Sequence, residues 1–280
     1  ACRLNRSIKN KFISKIFGTF GFLPPKLFNY KKIDRLLSSR QYSYEFYNSI
    51  KLMSNYFDIV RIGADWVRKV LLINNFDKDK LVLIRPALSN VFWDLYTNKK
   101  PYDIKEKYSY KSKNINFLFW GRLIDSKGMN VMRKAIKLLK NYKYRIHIVG
   151  DINSGDHTFK KLHSENKNNR KIIFHGALDQ TSIFKLGKKC DLALLPSSWF
   201  ETGPITVYEA FAMNLPVIGT KLGGIEEICS HEINSLLFEL NNHKELAKLI
   251  ISVINDPSKI DFLRSNLPIP RSPKDLAIEL

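Results

Sequence analysis

A pair of carboxylates in residues 199–212 is the feature of this sequence with the clearest chemistry. Glu201 and Glu209 flank a Gly203-Pro204 turn that opens a helix. Pro204 suits the first helical position, and the amides that follow it lack intrahelical partners and favour an anion. One carboxylate before this anion site and one beyond it suit a ligand with hydroxyls on both sides of a phosphate, such as a nucleotide-sugar.

Two further loops follow apolar strand runs and carry groups that suit the same ligand. Residues 120–128 contain Arg122 and Lys127 between two glycines, and both cations can bind phosphate. The alternative is a solvated basic turn before a helix. The loop that begins at His175 could hold a base through backbone contacts, although a plain strand-to-helix connection explains it equally well. His175 itself is interpreted as a packing or surface residue.

Several other catalytic motifs are not found in the sequence. There is no GxxxxGKS phosphate loop, no GxGxxG that opens a strand–helix unit and no GxSxG elbow. A glycine turn at residues 223–227 opens another helix, and close helix–sheet packing is its simplest interpretation. Three well-separated cysteines without a CxxC motif support neither a disulfide framework nor a structural zinc site, and a reducing cytosolic compartment fits them best.

The chain has 280 residues and a net charge of +20. That length allows two domains. A basic surface attracts nucleic acid, anionic lipid or anionic substrates, but it is also what a drift toward lysine produces. Residues 1–40 contain ten basic side chains and one acid, with apolar residues at helical spacing from 12 to 20. This pattern predicts a basic amphipathic helix at a membrane surface. Nucleic acid is not expected as a partner, because no recognised nucleic-acid motif is present.

Alternating strands and helices begin at Ile115 and indicate a parallel sheet covered on both faces. Such a doubly wound α/β domain binds ligands beyond the carboxyl ends of its strands. Apolar runs predict strands at 115–120, 144–149, 171–174, 192–195 and 216–218, and helices are predicted at 130–139, 158–165, 181–188, 205–213 and 224–229.

The first 100 residues are less regular than the rest. We predict helices over residues 5–55, a short strand at 57–62, a helix at 65–74 and a strand at 80–84, followed by a linker from 98 to 114. These elements suggest part of a second α/β domain. The predicted domains are therefore 1–110, a partial N-terminal domain, and 111–265, a complete Rossmann-like domain. Residues 266–280 are predicted to cross back toward the first domain.

In combination, these loops resemble the nucleotide-sugar half of a retaining glycosyltransferase of family 4 with the GT-B fold. The resemblance extends from residue 115 to about 238 and, more weakly, over 57–88. The matching pieces occur in the family's order and are Gly121-Arg122-Leu123 with Lys127-Gly128, Val149-Gly150, Gly176, the Glu201–Glu209 run, Pro216-Val217-Ile218 and Gly223-Gly224-Ile225-Glu226-Glu227.

The resemblance implies a role for each matching residue. Arg122 and Lys127 would bind the diphosphate and stabilise negative charge on the leaving nucleotide. Glu201 would face the donor sugar, and Glu209 would accept hydrogen bonds from the ribose. The remaining donor-binding positions are backbone contacts near the sugar, phosphate or base, at Gly121, Ala177, Leu178, Gly203, Ile205 and Thr206.

The resemblance also implies a nucleotide-sugar donor, a glycan or lipid-linked acceptor, no metal, and a cytoplasmic location at the inner membrane face, in cell-surface polysaccharide synthesis. The family's N-terminal glycine loop and histidine are not matched, since the earliest histidine is His147, and the chain is expected to be cut at its N-terminus. A nucleotide-sugar-binding fragment without turnover and a GT-B sugar-nucleotide epimerase therefore remain as alternatives.

Overall fold

The computed structural model describes residues 31–98 and 114–280. The chain divides into two compact units. Of the described residues, the first unit holds 31–61 and Val67–Val82, and the second holds Ile62–Trp66, 83–98 and 114–280. The sequence-based domain boundaries stay predictions. The amphipathic pattern expected at residues 12–20 and most of the expected linker lie outside the described residues.

Residues 31–98 contain helices and two short strands, and β1 pairs with β2. Both strands and the helix predicted from residue 65 are confirmed, but α3 was not predicted. The start of α3 does carry a local sequence signal, a serine in the cap position. The Ser89 side chain caps this helix by accepting a hydrogen bond from the Phe92 amide. In chain order the elements are α1 (Lys31–Tyr56), β1 (Val60–Ile62), α2 (Asp65–Ile73), β2 (Leu81–Leu83) and α3 (Asn90–Thr97).

A parallel sheet of six strands forms the centre of the second unit. Five of its strands are those predicted from apolar runs. The sixth was missed because its run is too short to be distinguished from a loop by periodicity. In chain order the strands are β3 (Ile115–Trp120), β4 (Tyr144–Val149), β5 (Ile172–Gly176), β6 (Leu192–Leu195), β7 (Val217–Thr220) and β8 (Ser235–Phe238).

Helices connect the strands and follow the last one. The five predicted helices begin and end within one residue of their expected bounds. The three helices after β8 were not predicted, although residues 266–280 were expected to cross back toward the first domain. They are α4 (Met129–Leu138), α5 (His157–Asn166), α6 (Gln180–Gly187), α7 (Ile205–Ala212), α8 (Gly223–Ile228), α9 (His243–Asn255), α10 (Ser258–Ser265) and α11 (Pro273–Glu279).

The sheet is buried on both faces, which confirms the predicted doubly wound architecture. Neighbouring residues of β3 enter opposite cores because successive side chains of a strand point to opposite faces. Phe117 joins the core that contains apolar residues of α4, α5 and α9. Leu118 joins the core that contains apolar residues of α3, α6 and α7. Continuous apolar strands are the consequence of this double coverage.

Strand order places two loops side by side. The order is β5-β4-β3-β6-β7-β8, so the chain winds outward from β3 in one direction and from β6 in the other. Ligands of open α/β sheets bind at such a reversal, beyond the carboxyl ends of the strands. The loops that follow β3 and β6, which begin at Gly121 and Pro196, therefore meet at the expected position of a ligand.

Candidate donor-binding site

The two loops at the reversal are joined by direct contacts. The Ser126 carbonyl accepts hydrogen bonds from the Ser198 amide and the Ser197 hydroxyl, both at 2.9 Å. Gly128 has a φ of 86°, and a Cβ atom at this residue would lie 1.9 Å from the Pro196 carbonyl oxygen. No other residue fits both the backbone conformation and the space. This glycine therefore lets the loop that carries Lys127 lie directly against the loop that leads to Glu201.

The Glu201 carboxylate lies in the cavity wall, where it connects the two loops through hydrogen bonds. Its Oε1 atom accepts hydrogen bonds from Lys127 Nζ and from the Ser197 hydroxyl, both at 2.7 Å. The side chains of Lys127 and Glu201 are 26% and 16% exposed, so this ion pair is screened by water less than a surface pair is. The structure thus brings together two residues that the sequence assigned to different parts of the ligand. Ser197 was not predicted as a site residue.

The second carboxylate, Glu209, lies on α7 and is buried, with 9% of the residue exposed. Trp120 Nε1 at the end of β3 donates a hydrogen bond of 2.6 Å to its Oε2 atom. Burial raises the pKa of Glu209, and the hydrogen bond from Trp120 opposes that rise. From the sequence, Trp120 is expected only to end a strand and begin the loop that follows. An indole N–H immediately before a glycine loop was the available signal.

A cavity open to solvent lies beside Lys127, Glu201 and Trp120, with a volume of about 340 Å³ that includes the solvent at its mouth. Glu209 does not line it and is joined to its wall through the hydrogen bond from Trp120. Lys127 and Glu201 contribute charge to its wall, while Trp120 and Ile225 contribute apolar surface. The predicted site residues Gly121 and Thr206 also line it. The complete lining consists of Phe119, Trp120, Gly121, Lys127, Leu195, Ser197, Glu201, Thr206 and Ile225.

The start of α7 provides the predicted positive helix end. Pro204 is the cap residue that precedes the helix, so the expectation that it occupies the first helical position is wrong by one residue. The first hydrogen bond of this turn runs from the Val207 amide to the Pro204 carbonyl, and the amides of Ile205 and Thr206 precede it. These amides have no intrahelical acceptor and can bind an anion.

The remaining predicted residues differ in their relation to the cavity. Gly203 lies against Pro86, whose Cγ atom would be 2.6 Å from an added Cβ, so a larger residue would displace the turn. Ile205 is 46% exposed. Arg122 is also exposed and, unlike Lys127, does not belong to the cavity lining described above. Its assignment to the diphosphate stays a prediction.

Ala177 and Leu178 follow β5 at the edge of the sheet and do not line this cavity. Ala177 is exposed, whereas Leu178 is half-buried against the core that contains α6 and α7. Nearby, His175 Nε2 lies 2.9 Å from His147 Nδ1, and the two rings stack. Burial, with smaller contributions from positive charge on His175 and Arg145, lowers the pKa of His147 to about 4. The His175 ring is thus a packing group, as predicted.

Within residues 31–98 and 114–280, no group of three or more His, Cys, Asp or Glu side chains is arranged to hold a metal ion. Transfer chemistry without a metal stays a prediction. Cys190 and Cys229 are buried free thiols.

The match to a protein family decides what this chain is. The model of the family described as glycosyl transferases group 1 matches residues 102–266. The chain belongs to this family. The match covers both loops at the strand reversal, α7 and the glycine turn at α8. All residues that line the cavity therefore lie within the segment that matches the group 1 glycosyltransferase family.

The chain is also similar to curated proteins that are named as glycosyltransferases. The chain is 23% identical over 210 residues to an uncharacterized glycosyltransferase of Methanocaldococcus jannaschii, covering 74% of this chain and 53% of the relative. It is 24% identical over 220 residues to the capsular polysaccharide biosynthesis glycosyltransferase CapM of Staphylococcus aureus, covering 75% and 55%. The chain thus spans about half the length of these curated relatives.

Structural similarity supports the fold. The crystal structure of Anabaena HepE in complex with UDP and glucose matches with a TM-score of 0.67 and 19% identity, covering 83% of this chain and 64% of HepE. At this level of identity the similarity concerns the fold. The chain has a GT-B-type α/β fold, which confirms the fold class expected from the sequence.

Proposed function

We propose that this chain is a retaining glycosyltransferase of family 4 that moves a hexose-type sugar from a nucleoside diphosphate to a glycan or lipid-linked acceptor. The observation that carries the proposal is the cavity at the start of α7, which combines a cation (Lys127), a carboxylate (Glu201) and helix amides. A buried second carboxylate, Glu209, lies next to it through Trp120. Membership of the family supports the same reaction.

The proposed chemistry follows from these groups. The bond between the anomeric carbon and the diphosphate oxygen breaks, an acceptor hydroxyl oxygen forms the new bond to that carbon, and the hydroxyl proton is released. Negative charge grows on the departing diphosphate, and Lys127 and the α7 amides are proposed to stabilise it. Arg122 is proposed to contribute a second cation. No metal is proposed.

The two carboxylates are assigned different tasks. Glu201 faces the sugar and stabilises positive charge that develops at the anomeric carbon. Glu209 accepts hydrogen bonds from the ribose, since a carboxylate retains acceptor sites beyond its bond from Trp120. The backbone near Ala177 and Leu178 is proposed to contact the base.

The first test is a donor panel of UDP-, GDP- and ADP-sugars. We expect one nucleotide-sugar to raise the melting temperature, because a ligand that binds only the native state adds RT ln(1 + [L]/Kd) to its stability. At about 100 times Kd this is ~2.7 kcal/mol, or roughly 5–10 °C for a domain of this size. UDP-glucose is the first candidate because HepE was crystallised with UDP and glucose.

Product analysis then separates the possible activities. Transfer with an unchanged anomeric configuration supports the proposal, and inversion contradicts retention. A free epimerised nucleotide-sugar would instead identify an epimerase. Donor binding without product would identify a binding fragment, and absence of binding to every donor would refute the proposed site.

We also propose that the enzyme acts at the cytoplasmic face of a membrane in the synthesis of a cell-surface polysaccharide. Among residues 31–98 and 114–280, no helix has the length and apolar character needed to span a bilayer. The proposal therefore depends on the basic composition of residues 1–40. The name of the CapM relative, which refers to capsular polysaccharide biosynthesis, supports the proposed pathway class.

Vesicle flotation tests the membrane proposal. We expect binding to anionic vesicles that weakens with salt, because each basic residue near such a surface contributes about 1 kcal/mol. Reversing two charges, by Lys11→Glu and Lys15→Glu, should weaken binding at least about tenfold. The matched control is Lys244→Glu with Lys248→Glu on α9, where both lysines are exposed. Equal loss in both variants, or no binding by the unmodified chain, would contradict a role for residues 1–40.

A further inference from the structure

The backbone of Glu201 is held as firmly as its side chain. Its carbonyl oxygen accepts hydrogen bonds from Trp66 Nε1 and from the Gly224 amide, both at 2.8 Å. Because Lys127 and Ser197 bind the carboxylate, both ends of this residue have fixed partners. The carbonyl contacts come from parts of the chain to which the proposed reaction assigns no task.

Glycines make the contacts with the backbone of Glu201 possible. A Cβ atom on Gly224 would lie 2.7 Å from the Glu201 carbonyl oxygen, and one on Gly223 would lie 3.2 Å from Trp66 Nε1. Gly223 also has a φ of 57°, which favours glycine. The glycine turn that the sequence suggested as simple helix–sheet packing is therefore the turn against which Glu201 and Trp66 are packed.

Glu227 fixes Trp66 in turn. Its two carboxylate oxygens accept hydrogen bonds from the backbone amides of Asp65 and Trp66, each at 2.7 Å. These are the first two amides of α2, which have no intrahelical acceptor and favour a negative charge. Arg85 Nη2 lies 3.1 Å from the same carboxylate, whose side chain is 18% exposed. A charged, bidentate cap of this kind restricts the backbone that carries the indole.

The Trp66 ring is restrained as well. Its centroid lies 5.1 Å from that of Phe200, the residue immediately before Glu201, with the ring planes at 49°. The indole therefore makes one polar contact, through Nε1, and one apolar contact with the same short segment. Substitution of Trp66 by Phe would remove the first and retain an aromatic ring for the second.

We propose that Glu227 and Trp66 are positioning residues for Glu201, acting through its backbone carbonyl. Glu227 holds the Trp66 amide, the Trp66 indole holds the Glu201 carbonyl, and the Glu201 carboxylate is thereby kept against Lys127 in the cavity. The effect on ligand binding rests on the proposed function, in which Glu201 faces the donor sugar. The hydrogen-bond chain itself does not depend on that function.

The chain of contacts is tested first without ligand, by NMR of the indole N–H groups. The sequence contains four tryptophans, and Trp66→Phe identifies the Trp66 signal by its loss. We expect Glu227→Gln to shift this signal and to accelerate its solvent exchange at least about fivefold, because a Gln oxygen replaces only one of the two acceptors. Glu226→Gln is the matched control, since Glu226 is an exposed carboxylate on the same helix. An unchanged Trp66 signal in Glu227→Gln would refute the coupling.

Ligand affinity supplies the second test, with the donor found in the panel compared with the free nucleoside diphosphate. We expect Trp66→Phe to weaken binding of the nucleotide-sugar about fivefold to tenfold, the factor that one hydrogen bond is worth, while the diphosphate changes less than about twofold. The ratio of the two affinities, nucleotide-sugar to free diphosphate, is the quantity to compare. In a Glu201→Gln background, Trp66→Phe should not change this ratio further, because the Glu201 carboxylate that Trp66 positions is already replaced.

The outcomes distinguish the possibilities. Equal weakening of both ligands, or full additivity with Glu201→Gln, would show that Trp66 serves general packing, which would overturn the proposal. If Glu201→Gln itself leaves the affinity ratio unchanged while the NMR coupling is present, the assignment of Glu201 to the sugar fails and the hydrogen-bond chain stands. If Trp66→Phe and Glu227→Gln change the preference for nucleotide-sugar over diphosphate but Glu226→Gln does not, the result would support both the assignment of Glu201 and the hydrogen-bond chain.

Discussion

Glu209→Ala is expected to abolish the rise in melting temperature that the nucleotide-sugar produces. The substitution removes the carboxylate assigned to the ribose and leaves Trp120 Nε1 without its acceptor at the edge of the cavity. A buried donor without a partner destabilises by about 1–3 kcal/mol, so the unliganded variant should also melt at a lower temperature. Thermal melting with and without donor measures both effects.

Glu209→Gln is the matched comparison, because the amide oxygen can still accept the Trp120 hydrogen bond. The pKa of Glu209 is raised by burial, so the native state holds a proton more tightly than the unfolded chain does. This carboxyl group therefore favours folding below its unfolded pKa, and the advantage is lost as pH rises through its folded pKa. We expect Glu209→Gln to be more stable than the unmodified chain at about pH 8 and to lose this difference near about pH 4.

A ligand-induced shift in Glu209→Ala equal to that of the unmodified chain would remove Glu209 from the donor site. A Gln variant less stable than the unmodified chain at high pH would show that the buried carboxylate is stabilising in its charged form. The two measurements are independent, since the first needs the donor and the second does not.

Lys127→Met is expected to reduce sugar transfer by about a hundredfold to a thousandfold, the range seen when one charge-stabilising donor is removed from an active site. The methionine retains the apolar length of the side chain but has no charge to offer the departing diphosphate. Donor affinity should fall by roughly tenfold to a hundredfold, because a hydrogen bond to a charged group is lost. Calorimetric titration with nucleotide-sugar and steady-state rates measure these effects.

Lys137→Met provides the control for Lys127→Met. Lys137 also forms an ion pair, with Glu165 at 3.0 Å, but its side chain is 53% exposed and lies outside the cavity lining. Exposed pairs contribute little, so this variant should retain its donor affinity and rate. Normal donor affinity and transfer in Lys127→Met would contradict the site, whereas equal loss in both variants would indicate a general effect of charge.

The regular elements around the site could be predicted because their signals are local. Continuous apolar runs such as Ile115–Trp120 and Leu192–Leu195 predict buried strands from hydrophobicity alone, and both are confirmed. The helix predicted from residue 205 begins at Ile205 as expected, and only Pro204 differs, since it is the cap residue and not the first helical residue. The short strand Ser235–Phe238 was missed because three apolar residues are insufficient to distinguish a strand from a loop.

The sequence also placed Lys127, Glu201 and Glu209 in one site, since each follows or flanks the carboxyl end of a predicted parallel strand. It did not reveal which atoms meet. Arg122 and Lys127 are both cations of one short loop, but Lys127 lines the cavity and Arg122 is exposed. Gly121 immediately before Arg122 and Gly128 immediately after Lys127 both have a positive φ. A side chain's direction depends on such turns, which composition does not specify.

By itself, therefore, the sequence determined an α/β sheet, the loops at its strand ends and the types of charged group that they carry. The tertiary structure decided which residues pair. Lys127 pairs with Glu201, Trp120 pairs with Glu209, and Glu227 pairs with the backbone amides of Asp65 and Trp66. These partners are separated by 74 to 162 residues. Lys127 and Glu201 meet because β3 lies beside β6 in the sheet and because Gly128 allows the loops after these strands to touch. Neither the order of strands nor the direction of a turn is contained in local hydrophobic patterns.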